Sequence, residues 1–218
     1  GCGAIAQSHA RALQATPAAS CTALYDVDAA RAEGLRQVFF PEAEVVRSLE
    51  ELAGRADAAV VAVPNAYHAP ASISLLRAGL HVLCEKPLAT SLKDAEEMAA
   101  VAESERRILS CGLIRRFYNS TALVSTALER NLAGRPLRFE ITESVWNWPM
   151  SRATFDPVVS GGGMLIDIAP HLFVLIRTWF GDVEIVEYRD DNHGGVEADC
   201  FVRVRCKGEA GELSGEIF

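Results

Sequence analysis

The chain has 218 residues, 29 acidic against 21 basic side chains, a formal charge of −8 and an apolar half. That composition excludes a disordered or collagen-like chain, and the acidic balance argues against a nucleic-acid or membrane-surface binder, which needs clustered Lys and Arg. Area scaling leaves roughly 10,000 Å² exposed against roughly 34,000 Å² unfolded, enough for one large or two small cores.

The chain opens on Gly1-Cys2-Gly3-Ala4-Ile5-Ala6, a match to G-x-G-x-x-A. In a doubly wound fold the first Gly makes the tight turn after a strand and the second lets backbone approach a pyrophosphate. A small third residue lets the helix pack on the sheet, and the helix N-terminus offers N–H groups to the phosphates. No strand precedes Gly1, residue 1 is not Met, no signal peptide leads the chain, and Phe218 falls within an apolar/polar alternation. A piece of a longer protein is expected.

Residues 19–25 read as a strand ending at Asp26, twenty residues after Ala6. A carboxylate there accepts hydrogen bonds from ribose hydroxyls and repels a 2′-phosphate, which favours NAD over NADP; Arg31, one helical turn on, offsets this only in part. The plainer reading makes Asp26 a turn residue or cap ahead of a helix at 28–37. Residues 58–63 are a continuous apolar run between Asp57 and Pro64, the pattern of a strand buried on both faces. The uncharged stretch 58–76 reaches 19 residues, but Pro64, Asn65, His68 and Pro70 break it, so no membrane span is expected there. A helix at 69–78 stops at Gly79, a strand follows at 81–84, a helix at 92–105 starts with Ser91 and Asp94, and a strand occupies 108–111. Alternating strands and helices imply βαβ units and a parallel sheet.

Beyond about residue 112 the pattern changes. A helix at 119–131 precedes an alternating strand at 137–148, a helix covers 163–180, and strands follow at 184–189, 196–207 and 212–218. This is an antiparallel α+β layout, with a boundary near 112–116. The six cysteines, Cys2, Cys21, Cys84, Cys111, Cys200 and Cys206, have no metal-type spacing and apolar surroundings. Buried free thiols in a reducing cytosol follow, hence a cytoplasmic protein with no metal site.

Two constellations carry chemistry. Glu85-Lys86-Pro87 follows a strand directly, at the carboxyl edge where open α/β sheets bind ligands, and an X-Pro bond is the peptide bond most open to a cis form. Taken alone, Lys86 reads as a solvated surface lysine. In Gly161-Gly162-Gly163-Met164-Leu165-Ile166-Asp167-Ile168-Ala169-Pro170-His171, Asp167 and His171 are four apart and share a helix face with apolar flanks. A histidine steadied by a carboxylate suits proton transfer.

With those residues, the chain resembles the glucose-fructose oxidoreductase/inositol dehydrogenase/rhizopine-catabolism (Gfo/Idh/MocA) family over nearly its whole length. The resemblance rests on the Gly1–Ala6 turn, Asp26, Pro64-Asn65-Ala66-Tyr67-His68, Glu85-Lys86-Pro87, Arg116-Phe117, and the triple glycine leading to Asp167 and His171. It implies an N-terminal Rossmann domain over 1–112, lacking its first strand, and an incomplete C-terminal α/β domain over 113–218 with an open, mostly antiparallel sheet. A fragment of that kind is expected to bind NAD poorly and to fold marginally alone. The implied activity is hydride transfer between a nicotinamide and a sugar or polyol hydroxyl carbon. By position, Lys86 hydrogen-bonds the reacting oxygen, His171 is the general acid/base, and Asp167 orients it or binds substrate. Glu85 supports Lys86, and Pro64, Asn65 and His68 line the cofactor cleft beside Gly1, Gly3, Ala4, Ile5, Ala6 and Asp26. Arg116, Trp146 and Trp148, with Asn147 and Arg152, are candidates to shape the substrate site, although tryptophans at i, i+2 also serve simply to cover a sheet face. Val174, Ala169 and Val63 depart from the family pattern, so no particular sugar is assigned. Other activities implied on this fold are glycoside processing through transient oxidation, with no net NADH, and a non-catalytic dinucleotide sensor. The family pairs subunits through its C-terminal sheet, and the apolar residues of 196–205 and 213–218 fit either such a homo-oligomer interface or a core face.

Overall fold

The structure is a computed structural model that describes residues 1–145, 152–208 and 211–218, with the side chains of residues 152 and 153 left out of the description. The chain forms two compact units, Gly1–Gly112 and Leu113–Phe218.

The first unit contains α1 (Ala4–Gln14), β1 (Ala23–Leu24), α2 (Ala29–Phe39), β2 (Glu44–Val45), α3 (Leu49–Ala53), β3 (Ala58–Val61), a 3-10 turn (Asn65–Tyr67), α4 (His68–Arg77), β4 (His81–Cys84), α5 (Leu92–Ser104) and β5 (Leu109–Cys111). The strands form two parallel sheets, β1-β2 and β3-β4-β5. Short polar side chains start several helices: Asp28, Ser48 and Ser91 accept from Ala30, Glu51 and Asp94 N–H groups. Val61 pairs with Cys84 and Cys84 with Cys111, so the last residues of β3, β4 and β5 lie level. The loops that follow them therefore emerge along one edge.

Leu75 and Leu76 of α4 and Met98 and Val101 of α5 pack on Val61, Val82 and Cys84. Ala6 and Ala10 of α1 pack on Ala32 and Leu35 of α2, with Leu24 and Val45 alongside. The expected strand at 19–25 is shortened to β1, and β3 is not covered on both faces. Ala59 and Val61 meet the core, whereas Ala58 and Val60 point outward, Val60 at 39% exposure.

The second unit contains a 3-10 turn (Ile114–Phe117), α6 (Asn119–Glu129), β6 (Arg138–Ile141), α7 (Arg152–Phe155), α8 (Pro157–Ser160), α9 (Met164–Phe180), β7 (Asp182–Asp190), β8 (Cys200–Gly208) and β9 (Gly211–Ile217). Its sheet runs β6-β9-β8-β7, antiparallel except for the parallel β6–β9 pair. Ile168, Leu172 and Ile176 of α9 pack on Val202, Val204, Cys206 and Ile217, and Phe180 stacks on Phe139 at 4.8 Å. The 24 residues Pro157–Phe180 are long and apolar enough to cross a membrane by length and composition alone. Here Gly161 and Gly162, both at positive φ, separate α8 from α9, and α9 is the core helix of its unit.

Side chains alternate along β8 between its two faces. Val202, Val204 and Cys206 turn to α9, while Arg203 pairs with Glu187 and Glu216, and Arg205 with Glu184 and Glu212. Val202, Val204 and Cys206 thus belong to the core, while the opposite face carries cross-strand ion pairs and the Phe201 ring beneath Arg189 and Arg203.

Candidate functional site

In the first unit the glycine turn is wedged between strand ends. Gly1 N donates to the Tyr25 carbonyl after β1 at 2.9 Å, and a Cβ on Gly1 would overlap the Ala62 carbonyl after β3. Only glycine permits that approach. Gly3 is the N-cap of α1 and brings no side-chain cap, while Ala4 and Ile5 are exposed. The first N–H groups of an α-helix have no partner within it, so this end presents donors and the positive end of the helix dipole. That arrangement fits a dinucleotide pyrophosphate.

Asp26 faces the same turn. Its Oδ2 accepts from Cys2 N–H at 2.7 Å and its Oδ1 from Asp28 N–H at 2.9 Å. Partial burial pushes this carboxyl up, but the hydrogen bonds from Cys2 and Asp28, with the charges of Gly1 N and Arg31, outweigh it and the pKa is lowered. The anion is thus fixed beside the turn, and Arg31 pairs with Asp28 at 3.3 Å.

At the end of β4, Glu85 Oε2 accepts from Lys86 N–H at 3.1 Å, and Oε1 lies 2.7 Å from His9 Nε2. Burial alone would raise the Glu85 pKa; the His9 bond, the Lys86 N–H and the two positive charges bring it below its ordinary value. Gly112, the residue after β5, comes close enough that a Cβ there would lie 3.2 Å from the Glu85 carboxylate. Lys86 is half-buried, and the Lys86–Pro87 bond is cis. His9 escaped the sequence reading. Its place one turn after Ala6 was the available signal, but nothing local links it to residue 85.

Pro64 is exposed and Asn65 half-buried at this edge, but His68 is not a lining residue. Its ring is 1% exposed and bridges the Pro87 and Val63 carbonyls beneath the surface, which corrects the expectation for that residue. The first position of α4 points the side chain inward.

In the second unit α9 carries both Asp167, half-buried, and His171, buried at 7% exposure. Its N-terminus is held by Glu197 from the loop between β7 and β8. The carboxylate accepts from Gly163 N–H at 2.8 Å and Leu165 N–H at 3.0 Å, and the Glu197 carbonyl accepts from Met164 N–H at 3.0 Å. A Cβ on Gly163 would collide with the Glu197 backbone, which is why glycine stands there. Glu197 is itself 6% exposed, and the sequence reading passed over it.

Arg115 forms a two-point ion pair with Glu143, Nη1 to Oε2 at 2.9 Å and Nη2 to Oε1 at 2.8 Å. The pair raises the Arg115 pKa and lowers that of Glu143; Arg115 also feels Asp167, and Glu143 feels His171. Those four groups therefore share one electrostatic neighbourhood. Arg116, the arginine singled out from sequence, is exposed on the Ile114–Phe117 turn. Trp146 and Trp148 lie outside the described residues.

A parallel sheet with a glycine turn at an uncapped helix start and a carboxylate at the neighbouring strand end defines an NAD(P)-binding Rossmann domain, here followed by a mostly antiparallel α/β unit. Residues 1–113 match the family profile described as oxidoreductase family, NAD-binding Rossmann fold. The chain belongs to this Gfo/Idh/MocA oxidoreductase family. It is similar to a 1,5-anhydro-D-fructose reductase of Ensifer adhaerens, 33% identical over 58% of this chain and 39% of that protein. It is also similar to an inositol 2-dehydrogenase of Acidiphilium cryptum, 36% identical over 63% of this chain and 42% of the relative. These matches span about two fifths of the relatives' lengths. Among solved structures, KijD10, a 3-ketoreductase from Actinomadura kijaniata in complex with NADP and TDP-benzene, superposes with a TM-score of 0.87 at 26% identity, covering 100% of this chain and 67% of that one.

Proposed function

We propose that the protein moves a hydride between a nicotinamide dinucleotide and a hydroxyl-bearing carbon of a sugar, polyol or related compound. Residues 1–112 hold the dinucleotide, and residues 113–218 carry the proton-transfer groups. The observation that carries this reading is the set of groups along one edge of the first unit: the uncapped start of α1, Asp26 at the end of β1, and Lys86 at the end of β4. Family membership and the sugar- and polyol-named relatives support the substrate class.

When bound, the nicotinamide supplies the hydride acceptor or donor. The Ala4 and Ile5 N–H groups hold the diphosphate, and Asp26 receives the adenosine ribose hydroxyls. Because the Asp26 carboxylate is held as an anion, a 2′-phosphate meets repulsion, so NAD is the favoured form. Lys86 places its ammonium beside the reacting oxygen and stabilises the alkoxide-like charge that develops there. Glu85 steadies the Lys86 backbone, His171 takes or returns the hydroxyl proton, and Asp167 orients the imidazole or a substrate hydroxyl.

The test is a screen of NAD and NADP reduction across sugars, polyols and sugar acids with the complete protein, repeated with Lys86→Ala. Turnover should fall by about 100-fold or more while NAD binding stays measurable. Unaltered turnover would remove Lys86 from the chemistry, and a kinetic preference for NADP would overturn the role of Asp26.

A further inference from the structure

His68 opens α4 and sits between two acceptors. Its Nδ1 lies 2.6 Å from the Pro87 carbonyl and its Nε2 2.9 Å from the Val63 carbonyl, with the ring 1% exposed. A carbonyl oxygen only accepts, and a neutral imidazole has a single N–H. One tautomer would leave a ring lone pair facing the Pro87 oxygen, the other would leave one facing the Val63 oxygen. Only the imidazolium gives each carbonyl a donor.

The two carbonyls belong to different loops. Val63 lies just beyond β3 and Pro87 just beyond β4, which end level at Val61 and Cys84. Pro87 is also the next residue after Lys86. We propose that His68 is a positioning residue: as a buried imidazolium it ties the loop after β3 to the Glu85-Lys86-Pro87 loop and so fixes the backbone from which Lys86 projects. This rests on the reading of Lys86 given above.

Burial and the N-terminus of α4 both oppose a positive ring. Against them stand two charge-assisted hydrogen bonds that no neutral form could make together. The charged groups on the loop it holds are Glu85 and Lys86, and Glu85 is engaged by His9 from α1. The Cys84 thiol on β4 turns to the Leu88 carbonyl. Residues 62–66 on the other loop hold no titratable side chain, and Tyr67 precedes His68 on its own side.

Two measurements on the complete protein decide the matter. Long-range proton–nitrogen NMR on histidine-labelled protein should find both His68 ring nitrogens protonated at neutral pH. A single protonated nitrogen overturns the proposal, and this result does not depend on what Lys86 does. Kinetically, His68→Ala should lower kcat by about 100-fold and His68→Gln, which keeps a single donor nitrogen, by about 10-fold, the scale of a misplaced reacting group. NAD affinity should change by less than about threefold in either variant, and added imidazole should restore part of the kcat of His68→Ala. An unchanged kcat, or a loss of NAD affinity in step with kcat and no imidazole rescue, refutes the positioning role. If His68→Ala does not fold, His68→Gln and the NMR measurement still decide. Lys86→Ala assayed in parallel separates the readings, because full activity there removes Lys86 from the chemistry while the state of the His68 ring is read independently.

Discussion

Removing the Glu197 carboxylate should loosen the start of the helix that carries Asp167 and His171. Two backbone N–H groups, from Gly163 and Leu165, donate to that carboxylate at 2.8 and 3.0 Å, and the residue is 6% exposed. A hydrogen bond to a charged acceptor contributes about 1.5–3 kcal/mol net, so the two together contribute roughly 3–6 kcal/mol. Water entering the space left by truncation can hydrate part of the orphaned helix end, which favours the lower bound. Glu197→Ala should therefore cost about 3 kcal/mol, equivalent to roughly 12–24 °C in the Tm of a unit of this size. Glu197→Gln keeps one acceptor oxygen without the charge and should cost about half as much. Urea unfolding of the complete protein and both variants, followed by far-UV circular dichroism, reads these values from the midpoint. In the same variants kcat should fall while NAD affinity holds, because the groups proposed to bind the dinucleotide belong to residues 1–112. A cost below about 0.5 kcal/mol for Glu197→Ala would show that the helix start is held by the Glu197 backbone and not by its side chain.

Three further outcomes follow from the site. His9→Ala should let the Glu85 pKa rise and lower turnover; carboxylate titration by NMR tests this, and an unmoved Glu85 would refute the pairing. Glu143 is held below its ordinary value of 4.5, first by the Arg115 hydrogen bond. Since the folded pKa is the lower one, its stabilisation is present above pH 4.5 and disappears as the pH falls through the lowered value. Arg115→Gln should accordingly flatten the acid limb of a Tm-against-pH profile, and an unchanged limb counts against it. Burial pushes the Cys84 thiol up to about 12 and Cys111 to about 11, so both should resist a thiol reagent at pH 8 until the protein unfolds. Rapid native-state labelling of either would contradict the raised thiol pKa.

Where local pattern decides structure, the sequence was readable. The strand at 81–84 coincides with β4, the helix at 163–180 differs from α9 by a residue, and Ser91 caps α5. Elements of two residues have too little pattern to see, which is why β2 went unnoticed and β1 was drawn too long. Pairing across distance was equally hidden. The last strands read as neighbours in chain order, and β7, β8 and β9 are; the parallel partner of β9 is β6, and pairs such as Ile141 and Ile217 are separated by the helical segment and by β7 and β8. The apolar run at 58–63 promised cover on both sides, but helices meet only the Ala59 and Val61 face.

The same division runs through the site. Gly1, Gly3 and Ala6, Glu85 and Lys86, and Asp167 and His171 could be singled out because each set is joined by a spacing of a few residues. His9, Arg115 and Glu197 could not, because their partners lie 76, 28 and 34 residues away, and a charged residue type carries no mark of the pairing that awaits it. Arg115 and Arg116 are adjacent and chemically alike, yet only Arg115 meets Glu143, since backbone direction and not residue type chooses which one turns inward. Glu197 shows the limit most clearly. A lone glutamate is ordinarily a surface residue, and it stays buried here only because two N–H groups of a helix start give it the bonds that water would. The residue types proposed for the chemistry are thus visible in sequence, while the groups that hold them in place become visible only when the fold brings them together.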